Sequence, residues 1–299
     1  LLETNSQNDG CKNLFFNDPP EKILDIYAFL DIYVTKNIVI LQIIAYKLMT
    51  SIVINQGFPV VTGFYAASMI AWLFRRRSVQ FAFLGLGCLG HTIFLVNRGG
   101  LIGIWSPYAL FEESFFLPWC LAALALGLRF FPGKASLAGG LLIPLVAFSV
   151  LAFLFPLGVV PPNPKTQTFF SWLFFMLEVV SHACFIAGGV LGLVYLRQEE
   201  TARLFHSFLV WGFIFYSLAQ VVGAYWAYLG WATPLHWSTR HLQSAALWCF
   251  YAALLHLRYL PVWNLRTEAR FSLVGLALIL LYAYLGPLTE TNRPPRIGG

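Results

Sequence analysis

The sequence predicts an all-α, polytopic transmembrane helical bundle of about eight spans with an external Trp-rich loop. Three observations predict it. The 299-residue chain is 59% hydrophobic and 11% charged, against about 25% charged residues in an ordinary soluble domain. Apolar runs recur along its whole length, and roughly 20 such residues cross the hydrocarbon of a bilayer as a helix. The runs are continuous rather than alternating, which excludes a membrane barrel. The net charge of +6 does not point to nucleic acid, because the basic residues sit in short loops beside apolar runs, where they set topology.

The elements follow in order. Residues 1–48 read as an N-terminal extension, polar and Pro-containing at first (NSQNDG, NDPPEK). Within it, YVTKNIVILQIIAYK (33–47) holds an apolar core too short to span and reads as an interfacial helix. The transmembrane domain covers 49–286, and 287–299 form an external tail. Its first span is 51–74, stopped by Arg75, Arg76 and Arg77. The second is 79–96, the third 114–131 and the fourth 137–160, which ends in VVPPNPK, a hard helix stop. Residues 166–196 are apolar for longer than one span requires. They divide into an aromatic interfacial helix (TFFSWLFFMLEVV) and a fifth span at 180–196. The sixth span is 205–229, the seventh 244–260 and the eighth 270–286. The cysteines form no CxxC pair, and those inside apolar segments read as small buried hydrophobes.

Loop charges orient the bundle. One set of loops carries Arg75–Arg77, Arg129, Lys134, Arg197, Arg203, Arg258, Arg266 and Arg270. The other carries Arg98, Lys165, Arg240, Arg293 and Arg296. The positive-inside rule makes the first set cytoplasmic. The localisation expected is a bacterial inner membrane or an organellar equivalent, with the Trp-rich loop outside.

Ionisable groups at membrane depth are costly and default to function. His91 follows Arg77 by about 21 Å of helix and His182 precedes Arg197 by about 22 Å, at 1.5 Å per residue. Both are expected towards the outer leaflet, with His256 at the cytoplasmic end. Each also has a bland reading, a hydrogen bond to a neighbouring helix. Glu112 and Glu113 suit a helix N-terminus. The acids lie at span edges, which speaks against a transporter with charges near the midplane.

The stretch GAYWAYLGWATPLHWSTRHLQSAALW (223–248) is the richest in chemistry. An anchoring belt needs one or two aromatic rings per helix end. Here Trp226, Trp231 and Trp237 are strung along a loop with Pro234, His236, Arg240 and His241. A dense aromatic surface beside imidazoles suits a large, flat, apolar ligand that takes axial nitrogens, as haem does.

Five blocks then fall in one order: LGHTIFLVNRGG (89–100), SPYALFEESFFLPW (106–119), EVVSHACFIAGGVLGLVYL (178–196), VVGAYWA (221–227) and LHLRYL (255–260). In that order they resemble the CcsA/ResC proteins of system II cytochrome c biogenesis, within the haem-handling superfamily that includes CcmC, CcmF and HemX. The resemblance covers roughly residues 58–286. It implies haem, b-type and non-covalent, as cofactor. It maps an external haem-ligand histidine to His182 and a membrane histidine to His256, with His91 as a further contact. The segment WATPLHWSTRHLQ (231–243) then resembles the family's Trp-rich WWD signature. Trp231 and Trp237 remain, Leu235 stands where a central tryptophan is expected, Ser238 replaces the aspartate and His241 the glutamate. The family's second external histidine has no counterpart in LGPLTETNRPPRIGG, so His236 and His241 become candidate ligands and Arg240 a partner for a propionate.

The function so implied is presentation of haem at the outer face for cytochrome c maturation, as a divergent subunit of a haem lyase. Its partners would be a CcsB-like membrane protein and apocytochrome c. The alternative is a non-catalytic HemX-like regulator, or a membrane anchor subunit working with other redox-complex subunits.

Overall fold

The computed structural model describes residues 56–102, 107, 112–131, 134–155, 167–197, 202–234, 239–261 and 263–282. The chain divides into two compact units, Leu1–Ser51 and Ile52–Gly299, and the described residues belong to the second. The expected interfacial helix at 33–47 and the tail at 287–299 lie outside them.

Eight helices run through the described residues. They are α1 (56–73), α2 (Arg77–Ile102), α3 (Glu113–Phe130), α4 (Ala138–Leu151), α5 (Phe169–Tyr195), α6 (Ala202–Trp231), α7 (Thr239–Leu257) and α8 (Leu265–Leu280). Four contain segments long and apolar enough to cross a membrane: Arg77–Gly100, Glu113–Phe130, Phe169–Tyr195 and Leu204–Trp231. The protein is an all-helical integral membrane bundle.

Local chemistry sets the helix ends. Thr168 caps α5, its hydroxyl accepting from the Ser171 N–H at 3.2 Å. Asn264 caps α8 in the same way, accepting from the Thr267 N–H at 2.9 Å. Both satisfy a donor that has no partner inside its helix. Arg75 takes the left-handed conformation, φ 58°, and reverses the chain between α1 and α2. Pro144 lies within α4, which tightens after Leu151 into a 3-10 turn, Ala152–Leu154.

Cross-helix contacts show an up-and-down order. Tyr65 and His91 join α1 to α2, as do Ser68 and the Gln80 carbonyl. Trp119 donates to Thr92 at 2.9 Å and Arg129 lies over the Phe81 ring, so α3 runs back along α2. Phe174 meets Trp226, Phe185 meets Tyr216 and Tyr195 meets Phe205, which sets α5 and α6 antiparallel along their whole length. Ser217–Trp248 and Ser244–Tyr282 continue the alternation through α7 and α8. The turns at 74–76 and 258–261 therefore share one end of the bundle with the ends of α3 and α5 and the starts of α4 and α6. The starts of α3, α5 and α7 share the other.

α5 is the central element, packing against α3, α4, α6 and α8. It corrects the expected division of 166–196, because one unbroken helix of 27 residues runs there. The division assumed that length beyond one span must lie in the interface. No glycine or proline interrupts residues 169–187, and the extra turns are buried against α6 instead. At its far end α5 approaches α8 closely: a Cβ on Gly189 would sit 3.1 Å from the Ser272 carbonyl oxygen, and one on Gly192 2.7 Å from the Ser272 hydroxyl.

At the opposite end Arg98 clamps α2 to the start of α3. Its Nε donates to both oxygens of Glu112 at 2.9 and 3.0 Å, and Nη2 adds a bond of 2.7 Å. Both side chains are fully buried, and the guanidinium lies over the Phe115 ring at 4.7 Å. The bidentate geometry offsets the desolvation that burying either charge alone would cost.

Gly189→Val should push α5 from α8 and lower stability by about 1–3 kcal/mol. Gly85 has nothing within 4 Å of its would-be Cβ, so Gly85→Ala should be neutral or slightly stabilising. Thermal unfolding in detergent distinguishes the two.

Candidate functional site

A cavity of about 320 Å³ opens where the first half of α5 and the last half of α6 meet the start of α7. Its volume is that of an ordinary small-molecule pocket. One wall is aromatic. Phe174 stacks on Trp226 at 5.8 Å and 27°, and Trp226 meets Trp231 edge to face at 5.5 Å. Phe174 can lie there because Gly223 has no side chain; a Cβ would come within 2.8 Å of the ring. The other wall carries Arg240, His241 and Ser244 from the first turns of α7. Gln220 also lines the cavity, and its buried amide nitrogen has no hydrogen-bond partner.

The rim depends on how α6 stops. Ala232 is left-handed, φ 57°, and its N–H reaches back to the Tyr228 carbonyl at 2.8 Å. This is the usual way to end a helix, but glycine normally takes the position. α6 thus ends on Trp231, which is half-exposed beside Thr233 and Pro234.

Behind Arg240 lies a buried polar layer. Arg240 Nη2 donates to Glu178 Oε2 at 2.7 Å, and the guanidinium lies over Phe174 and Phe175 at 5.3 and 5.4 Å. The Tyr282 hydroxyl donates to Glu178 Oε1 at 2.8 Å and meets the Ser244 hydroxyl at 2.9 Å. One turn along α5, His182 Nδ1 pairs with Glu113 Oε1. Glu178 and His182 are four residues apart and share a helix face. Tyr216 and Tyr282 flank the His182 ring.

The residues expected from the sequence are distributed unevenly. Trp226, Trp231, Arg240 and His241 come together on the cavity. Trp226 and Trp231 do so as helix residues of α6, and Arg240 and His241 as helix residues of α7, so the expected loop is mostly helix. The indoles fit that geometry because positions 226 and 231, five apart, meet through ring size rather than through one helical register. Trp237 and His236 lie outside the described residues. His182 does not line the cavity. It stands at the midpoint of the 27-residue α5, because that helix starts at 169 and not at 180. His91 is buried elsewhere, its Nδ1 3.0 Å from the Tyr65 hydroxyl and its ring among Phe58, Phe94 and Tyr65. His256 is exposed on α7, paired with its own Ala252 carbonyl at 2.7 Å. It lies twelve residues beyond Ser244, about 18 Å along the helix.

Glu178, Tyr282, Ser244 and Gln220 are additions that sequence reasoning missed. A signal existed for Glu178: it is the lone acid in an apolar helix, one turn from a histidine. Glu112 and Glu113 are not mere first-turn acids, since each pairs with a buried basic side chain from another helix. Nor do the acids lie at span edges, because Glu178 is the tenth residue of α5.

Comparison with known proteins places this architecture. The family model for cytochrome C assembly protein matches residues 108–289. A cytochrome c biogenesis protein CcsA of Prochlorococcus marinus (strain MIT 9515) is 33% identical over 31% of this chain and 29% of its own. Another, from strain AS9601, is 25% identical over 65% of this chain and 76% of its own. The CcsA of Chlamydomonas reinhardtii is 24% identical over 68% of this chain and 64% of its own. Among solved structures, the cytochrome c heme lyase CcmF superposes with a TM-score of 0.59 at 17% identity, over 81% of this chain and 48% of that one. The fold is shared with it, although this chain spans about half its length.

Glu113→Leu should leave the buried layer one negative charge short and cost about 3–5 kcal/mol, as breaking a buried pair does. Glu113→Leu with His182→Leu removes both partners and should recover most of that loss. Equal melting temperatures for the single and double variants would show that the pair does not set the cost.

Proposed function

The chain belongs to the cytochrome c assembly protein family, and from that premise we propose that it handles haem in the α5–α6–α7 cavity for the maturation of c-type cytochromes. One observation carries the reading: aromatic rings, a guanidinium and an imidazole line one cavity of about 320 Å³. A flat apolar macrocycle with carboxylate edges suits that combination of groups. The unpartnered Gln220 amide supplies a further donor of the kind a propionate would satisfy.

The residues divide the work. Phe174, Trp226 and Trp231 bury the macrocycle face and exclude water. Arg240 and the Gln220 amide orient its carboxylates. His241, one residue from Arg240 on the same turn, offers an imidazole for the iron, and Trp237 and His236 stay candidates from the sequence. Haem bound there, as a non-covalent b-type group, supplies the vinyl carbons at which thioether bonds to cytochrome cysteines form. The protein's part is to hold and present it. The cavity end of the bundle faces outside, because the arginine-bearing turns sit at the other end. The membrane is a bacterial inner membrane or its organellar equivalent. A CcsB-like membrane partner and apocytochrome c complete the assembly.

The burial of His182 against Glu113 favours a second reading. The axial ligand implied by the resemblance is withdrawn from the cavity, as suits a HemX-like regulator or an anchor subunit that keeps haem without completing synthesis. Rescue of cytochrome c maturation in a strain lacking its CcsA-type protein supports the first reading. Haem retention without rescue supports the second.

Protein purified from haem-replete cells should show a Soret band. Trp226→Ala should reduce it severalfold. Trp248 donates to Ser217 away from the cavity, so Trp248→Ala should leave it unchanged. No Soret band in the unsubstituted protein would sink the haem reading.

A further inference from the structure

We propose that Glu178 is a proton-coupled competitor for Arg240, so that the cavity takes a carboxylate-bearing ligand together with one proton. This rests on the cavity being the ligand site. The geometry supplies each part. Arg240 is the group shared by the two compartments: it lines the cavity, it is about one-fifth exposed, and its Nη2 lies 2.7 Å from the fully buried Glu178. A ligand carboxylate that engages Arg240 draws the guanidinium from Glu178. The buried layer then holds two carboxylates, Glu113 and Glu178, against His182 alone. A buried carboxylate stripped of its counter-charge is costly enough that it neutralises instead.

The groups facing Glu178 come from four elements: Glu113 of α3, His182 of its own helix, Arg240 and Ser244 of α7, and Tyr282 after α8. Tyr216 of α6 completes the layer through the Ser244 carbonyl at 3.3 Å. Two hydroxyls join the cavity to the carboxylate. Ser244 lines the cavity, its Oγ lies 2.9 Å from the Tyr282 hydroxyl, and that hydroxyl donates to Glu178 Oε1 at 2.8 Å. A proton from water at the cavity enters through Ser244 and Tyr282, and each hydrogen bond in the chain reverses direction. Glu178 then donates to Tyr282 and Tyr282 to Ser244, while Oε2, which gives up Arg240, becomes the uncharged carbonyl oxygen of the acid, far less costly to leave without that partner than a carboxylate oxygen. The balance is one proton from solvent converting one carboxylate to a carboxylic acid, with no change of oxidation state. Release of the ligand returns Arg240 to Glu178 and expels the proton.

The test uses the full-length protein in detergent with zinc protoporphyrin IX, which carries two carboxylates, and its dimethyl ester, which carries none. Titration calorimetry in two buffers of different ionisation enthalpy should count about one proton taken up with the diacid and none with the ester. Affinity for the diacid should fall about tenfold per pH unit as pH rises, since binding consumes a proton. Affinity for the ester should stay level. Glu178→Gln should remove the pH dependence for the diacid and bind it more tightly at high pH. The calorimetric count needs no variant, so a misfolded Glu178→Gln leaves the test intact. Equal proton counts for diacid and ester would overturn the competition while leaving the cavity as a porphyrin site. Failure of both to bind would overturn the cavity reading and this inference with it.

Discussion

Two buried carboxylates and a buried imidazole share one layer of the bundle with a guanidinium that reaches in from the cavity, and their charges must balance there. Glu113 and His182 form one pair, Glu178 and Arg240 the other. The four residues come from α3, α5 and α7, and the layer is closed by Tyr282 after α8. Each charge would cost several kcal/mol if buried alone. The helices that supply them are therefore tied in position and rotation as well as by apolar packing. The same constraint recurs beside α2, where Arg98 and Glu112 have no exposure and are held by three hydrogen bonds.

This layer also shapes the cavity above it. Arg240 is anchored from below by Glu178 and from the side by the faces of Phe174 and Phe175. Its remaining surface is presented to the cavity opposite Trp226. Phe174 packs on Trp226, and Gly223 leaves room for the edge of the Phe174 ring against α6. A mainly apolar pocket that carries one guanidinium is thereby built mostly on helices, which is how a binding constellation keeps its geometry.

Family membership implies haem handling, and the structure places the histidines differently from the motifs. A motif block reports position along the chain. It does not report which face of a helix a residue takes, or how far the helix extends. His182 falls in a recognisable segment and yet faces Glu113. His241 falls where a glutamate is expected and yet lines the pocket.

The helical bundle and the eight helices of the described residues were legible from the sequence, because hydrocarbon length and continuous apolar runs are one-dimensional properties, although α4 ends nine residues before its expected stop and α7 and α8 each start five residues before their expected starts. The concentration of tryptophan, arginine and histidine near 226–241 was legible for the same reason. The tertiary structure alone decided that 169–195 is one helix, since the length in excess of a span is covered by α6, a neighbour distant in sequence. It alone decided that Glu113, Glu178, His182, Arg240 and Tyr282 form one cluster. Those residues are separated by up to 169 positions, and helix packing together with the pairing of buried polar groups across helices brings them together.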